Sequence, residues 1–150
     1  MANPDNPDFT LDPRLAADSR RIGRMRLCEV RLMDDRRWPW LLLVPMRGDV
    51  SEWHELGDAE TQRAAGEIRI ASAALKIVTG CLKVNVATLG NIVRQFHVHV
   101  VARIEGDPNW PGPVWGFGKR KPYPDQERAQ WIRRVGNELA KSGEFFGDTV

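Results

Sequence analysis

At 150 residues with 42% hydrophobic composition, the chain has enough apolar mass for one domain with a sizeable core, and a split in two would leave each half marginal. Its 22 basic and 20 acidic side chains nearly cancel to a formal +2, which gives no general field for nucleic acid or a membrane surface. Two cysteines, Cys28 and Cys81, stand without CxxC spacing in apolar contexts, which argues against a disulfide or a thiolate zinc site and suits a reducing, cytoplasmic setting.

The first residues, to about 12, are rich in Pro, Asn and Asp and read as a flexible N-terminal arm ahead of a single domain over 13–150. No apolar signal core precedes that domain, and the longest apolar run, Trp38 to Met46, is too short to span a bilayer. Leu27–Met33 alternates at period two, Asp34–Arg37 reads as a turn, and Trp40–Val44 is a strong buried strand ending at Pro45, so a hairpin is expected. From Asp58, a plausible N-cap, Ile68, Ala71, Leu75 and Val78 recur at helical spacing until Gly80, predicting one long amphipathic helix across the sheet. Leu82, Val84 and Val86 then alternate with polar or small residues. After a turn at Leu89-Gly90-Asn91 a strand follows over about Gln95 to Ile104, pairing as a second hairpin. The Trp-, Pro- and Gly-rich stretch 107–116 is too rich in breakers for regular structure and should pack as an ordered loop. Asp125 onward, with Trp131, Val135 and Leu139 spaced by four and Gly143 at the end, predicts a C-terminal helix.

Chemistry is best sought at Gln95-Phe96-His97-Val98-His99-Val100-Val101, which holds two of the three histidines. On a strand Gln95, His97 and His99 share one face, and residues i and i+2 lie about 6.5–7 Å apart, so two imidazoles could touch one phosphate. Histidine suits that task, because its neutral ring is nucleophilic near neutral pH and its protonated ring donates to phosphoryl oxygens. Strand histidines also serve as satisfied core or edge residues, and the pair alone does not separate the two roles. The polar groups of Gly90, Asn91 and Asn85, with strand-end backbone N–H donors, incline the reading towards an oxyanion site.

The motif resembles that of the histidine triad family, His-φ-His-φ-His-φ-φ with φ apolar, and Leu41–Pro45, Val84-Asn85, Leu89-Gly90-Asn91, Arg103 and the Trp-Pro loop extend the likeness over nearly the whole domain. The resemblance implies an α+β fold with a five-stranded antiparallel sheet, one long and one C-terminal helix, and a homodimer that continues the sheet. It implies a nucleotide-binding hydrolase of phosphoanhydride or phosphoramidate bonds, with diadenosine polyphosphates among the substrates. His97, the middle position, would attack the α-phosphate and form a nucleotidyl-histidine intermediate, and His99 would bind the phosphate. Asn91 and Asn85 match positions that touch phosphate, with Gly90 beside them, and Asp34 lies near the family's ribose-binding position. No tightly bound cofactor is implied; Mg²⁺ would arrive on the substrate phosphates.

Two departures stand out. Gln95 replaces the first histidine and cannot titrate, and Ile92 stands where many relatives carry a hydroxyl. The non-enzymatic alternative is therefore a catalytically weak or inactive adenine-nucleotide-binding homodimer. His97, His99 and Glu105 approximate a cupin metal cluster, but the spacing to Glu105 is too long and a long helix does not suit a jelly roll. A zinc site would have to recruit His54, Cys28 or Cys81 from afar, and His54 reads as a surface or interface residue. The basic runs Arg20–Arg26 and Lys119–Lys121 read as solvated faces, so nucleic acid is not the expected partner. Trp110 and Trp115 could line a pocket, cross a dimer interface or pack over the core.

Overall fold

The computed structural model describes residues 2, 3 and 6–147. A short strand pair, β1 (Ala2–Asn3) and β2 (Asn6–Thr10), leads into a helix of six residues, α1 (Pro13–Asp18), which Asp12 caps by accepting from the Arg14 N–H. Next come β3 (Ser19–Arg24), β4 (Cys28–Met33) and β5 (Trp40–Pro45), followed by the 22-residue α2 (Asp58–Thr79). Beyond α2 lie β6 (Lys83–Ala87), β7 (Val98–Arg103), α3 (Asp125–Ala140) and β8 (Phe146–Gly147). The main sheet is antiparallel throughout, in the order β6-β7-β5-β4-β3-β8.

Both expected hairpins form, and α2 stops where glycine predicts, with Gly80 in the left-handed region at φ 65° and its N–H donating to the Lys76 carbonyl. The sheet has six strands rather than five, and α1 is a further helix. The added β3 covers the stretch read as a solvated basic face. Four arginines over 20–26 mask the strand, but Ile22 points into the core, Arg21 pairs across the hairpin with Glu29 of β4, and long arginine stems lie along the sheet.

The continuous apolar run of β5 is explained by cover on both of its sides. Val30, Leu32, Leu41, Leu43, Val98 and Val100 face α2 and α3, whose Ala71, Ala74, Leu75, Val135 and Leu139 complete the larger core. Trp40, Leu42, Val44 and Val101 face the other way, under Phe9, Leu15, Trp38 and Val114. The reading of the first dozen residues as a flexible arm is corrected here. Residues 1, 4 and 5 lie outside the described residues, as do 148–150, but Phe9 is fully buried, a contribution of about 1.5–3 kcal/mol to holding its segment down. No helix among the described residues is long and apolar enough to cross a membrane.

Candidate active site

The structure begins β7 at Val98, three residues later than expected, so Gln95 and His97 sit on the approach to the strand and His99 within it. The two imidazoles nevertheless meet edge to face, with centroids 4.7 Å apart. His97 Nδ1 lies 2.7 Å from the Gln95 carbonyl oxygen. A carbonyl only accepts, so this contact assigns the proton of the neutral ring to Nδ1 and leaves the lone pair on Nε2. Burial lowers the pKa of His97, opposed by the Gln95 backbone and by the Asp12 carboxylate, so the ring is held in its nucleophilic form.

His97 opens onto a cavity of about 430 Å³ lined also by Ser51, Thr88, Gly90, Asn91 and Arg94. Gly90 is required there: a Cβ would stand 2.9 Å from the Val93 carbonyl oxygen, so the loop beside His97 folds back on itself only without a side chain. Arg94 supplies a cation at the cavity wall and Asn91 an exposed amide.

His99 is held differently. Trp40 Nε1 donates to its Nδ1 over 3.1 Å, and because an indole N–H can only donate, the neutral ring carries its proton on Nε2, the reverse of His97. The ring lies between Trp40 and Trp115, at centroid distances of 5.5 and 5.4 Å. Desolvation, with His97 adding to it, pushes the His99 pKa down to about 4; the Leu89 backbone opposes this without completing a hydrogen bond of ordinary geometry to Nε2. Both rings are thus neutral near pH 7, one presenting a lone pair and the other an N–H that no protein atom uses.

The remaining expected residues divide. Gln95 lies beside the site, but both ends of its carboxamide are spent on the N-terminal segment: Oε1 accepts from the Asp12 N–H at 2.8 Å and Nε2 donates to the Thr10 carbonyl at 2.9 Å. Asn85 shares the histidine face, opposite Val101, yet its Oδ1 accepts from Arg103 at 3.0 Å rather than reaching towards a phosphate. Asp34 is not brought to the histidines. It is buried on the helix side and accepts from the Tyr123 N–H at 3.0 Å, because the turn after β4 leaves the sheet at the end away from His97. Glu105 and His54 are exposed, Cys28 and Cys81 are buried free thiols, and no three His, Cys, Asp or Glu side chains among the described residues gather as a metal site. The sheet with its crossing helices is not a jelly roll, which removes the cupin reading.

Sequence reasoning missed Trp40, Arg94, Asp12 and Arg14. Trp40 had a signal, since it alternates with Leu42 on the strand that pairs with β7, and Arg94 is the cation of the loop just before the motif. Asp12 and Arg14 had none: their pairing, and the Arg14 bond to the Ile92 carbonyl, exist only once the N-terminal segment docks.

The HIT domain family model matches residues 14–106, more than half of the chain. The chain belongs to the HIT family. Among solved structures, this HIT protein is similar to a histidine triad protein from Sinorhizobium meliloti 1021, at 53% identity over 87% of this chain and 96% of that one, with a TM-score of 0.85. One from Marinobacter aquaeolei VT8 is 41% identical over 89% of this chain and 97% of its own, at 0.86. Another, from Bradyrhizobium japonicum, is 39% identical over 89% and 99%, also at 0.86. No curated protein matches the chain. The fold is the α+β HIT fold, with one more strand in the sheet than expected.

Proposed function

We propose that this HIT protein binds nucleotides and hydrolyses a phosphoanhydride or phosphoramidate bond at the α-phosphate of a nucleoside phosphate or polyphosphate, a diadenosine polyphosphate being one substrate of the class. The observation that carries the reading is the His97 Nδ1 contact to the Gln95 carbonyl, which leaves Nε2 with its lone pair on a ring that lines the cavity. Nε2 attacks the α-phosphorus, an Nε2–P bond forms, and the bond from phosphorus to the leaving oxygen or nitrogen breaks, with the leaving group taking a proton from solvent. Water then attacks phosphorus, the N–P bond breaks, and the nucleotide departs with the imidazole neutral again. The neutral His99 Nε2–H donates to a phosphoryl oxygen, while Arg94 and the Gly90-Asn91 segment meet phosphate charge. Mg²⁺ enters on the substrate phosphates.

The protein is further proposed to be a cytoplasmic homodimer joined along β6. That strand has a free edge flanked by exposed Ile77, Leu82, Val86 and Ile104, an apolar rim suited to a second copy. A second reading, a nucleotide-binding homodimer without turnover, is favoured by one observation: Gln95 brings no proton, and its side chain is committed elsewhere. Incubation with dinucleoside polyphosphates and adenosine phosphoramidate separates the two. Turnover that is lost in His97→Ala while nucleotide binding persists supports the hydrolase; binding with no turnover in the unaltered protein leaves the binding module.

A further inference from the structure

Gln95 poses a physical puzzle, since a residue at the first position of a catalytic motif turns its functional group away from the other two. Thr10 C=O and Asp12 N–H flank Leu11 on one side of the backbone, the acceptor-and-donor pattern that a strand edge offers to its neighbour. A carboxamide has one acceptor and one donor side by side and completes that pattern as a ladder partner would. Glutamate would keep the bond from Asp12 but set a second oxygen against the Thr10 carbonyl. Histidine would place its two nitrogens on diverging directions of a ring. The segment so held carries Asp12, whose carboxylate acts on His97 electrostatically, and Arg14, which is paired with Asp12 and bonded to the Ile92 carbonyl of the cavity loop at 2.8 Å.

The same residue's main chain fixes the nucleophile, because the carbonyl that takes the His97 Nδ1 proton belongs to Gln95. We propose that Gln95 is a positioning residue: its side chain clamps Thr10–Asp12 to the loop before β7, and the clamp holds its own carbonyl where it fixes the tautomer of His97. The glutamine is then not a vacancy left by a lost histidine but the means by which the N-terminal segment becomes part of the site. This deepens the hydrolase reading and rests on it only for the turnover readout.

The test uses the full chain with Gln95→His and Gln95→Glu, the second being nearly isosteric and the safer variant for folding. Three quantities are read: amide hydrogen exchange at Asp12, the ¹⁵N shifts that report the His97 tautomer, and kcat and KM on the best nucleotidyl substrate. In Gln95→His exchange at Asp12 is expected to quicken tenfold or more, and in Gln95→Glu, which keeps that bond but loses the one to Thr10, by a smaller factor. His97 should pass from one neutral tautomer to a mixture, and kcat should fall by about tenfold with KM little changed. A rise in kcat for Gln95→His with Asp12 still protected would overturn the proposal, as would an unchanged His97 tautomer in both variants. Should the unaltered protein show no turnover, the hydrolase reading fails by itself, and the exchange and ¹⁵N results still decide whether the clamp exists.

Discussion

Arg103 and His99 lie on the same face of β7, four residues apart and both buried, yet the fold treats them in opposite ways. Arg103 is 1% exposed and makes four hydrogen bonds: two to the Asp107 carboxylate at 2.8 Å each, one to Asn85 at 3.0 Å and one to the Gly112 carbonyl at 2.9 Å. Trp110 lies against the guanidinium, 5.6 Å from its carbon to the ring centroid. His99 has one bond, from Trp40, and an Nε2 that no protein atom satisfies, beside a Trp115 whose buried Nε1 is likewise unpartnered. A closed polar network holds the Trp-Pro loop onto the sheet; a second, under the same roof, leaves two buried N–H donors without a protein acceptor. Burial of a polar group therefore does not by itself mean that its hydrogen bonds are complete.

Breaking the closed end should cost most. Asp107→Ala leaves a fully buried guanidinium without its carboxylate, and we expect a loss of about 3–5 kcal/mol in urea or thermal unfolding. At the open end, pH is the lever. The folded pKa of His99, about 4, lies below the ordinary histidine value of 6.5, so its contribution is complete above pH 6.5. As pH falls through that window the unfolded chain takes up the proton first, and stability should drop by roughly 3 kcal/mol once pH reaches 4, a slope that His99→Phe should flatten. Trp40→Phe keeps an aromatic side chain but removes the N–H-bearing part of the indole, leaving His99 Nδ1 without a donor. It should cost about 1–2 kcal/mol and mix the His99 tautomers in ¹⁵N spectra. Asn85→Ala should do least, about 1 kcal/mol, because Asn85 sits half-buried on the edge strand where water can take over its bond. The KM for nucleotide should not change, and a large rise would return Asn85 to the phosphate site.

Much of the fold was legible where one residue pattern meets one physical demand. The run Trp40–Val44, the stop at Gly80 and the four-residue spacing of α3 each report burial or backbone conformation directly. Glu67 was not legible. A glutamate in a helix reads as solvent-facing, yet here its two carboxylate oxygens accept the Leu27 and Cys28 N–H groups at 2.8 Å, at the start of β4, a demand set by a strand 39 residues earlier. The N-terminal segment failed for a similar reason: Pro, Asn and Asp describe local freedom, while Phe9 and the Gln95 clamp are contacts across the fold. At the site, the spacing brings the His97 and His99 rings together and the turn sets Gly90 and Asn91 beside His97, although His97 itself precedes the strand. The hydrogen bonds of Asp34 and Asn85 were not legible, because their partners, Tyr123 and Arg103, lie 89 and 18 residues away.

In the proposed hydrolysis His97 Nε2 is the nucleophile. Rapid quenching of the protein with a nucleoside phosphoramidate labelled in its nucleotidyl group, followed by peptide mapping in alkali to preserve the acid-labile N–P bond, tests it directly. Label is expected on the peptide at His97, with none at His99 and none in His97→Ala. Label at His99, or undiminished turnover by His97→Ala, would contradict it.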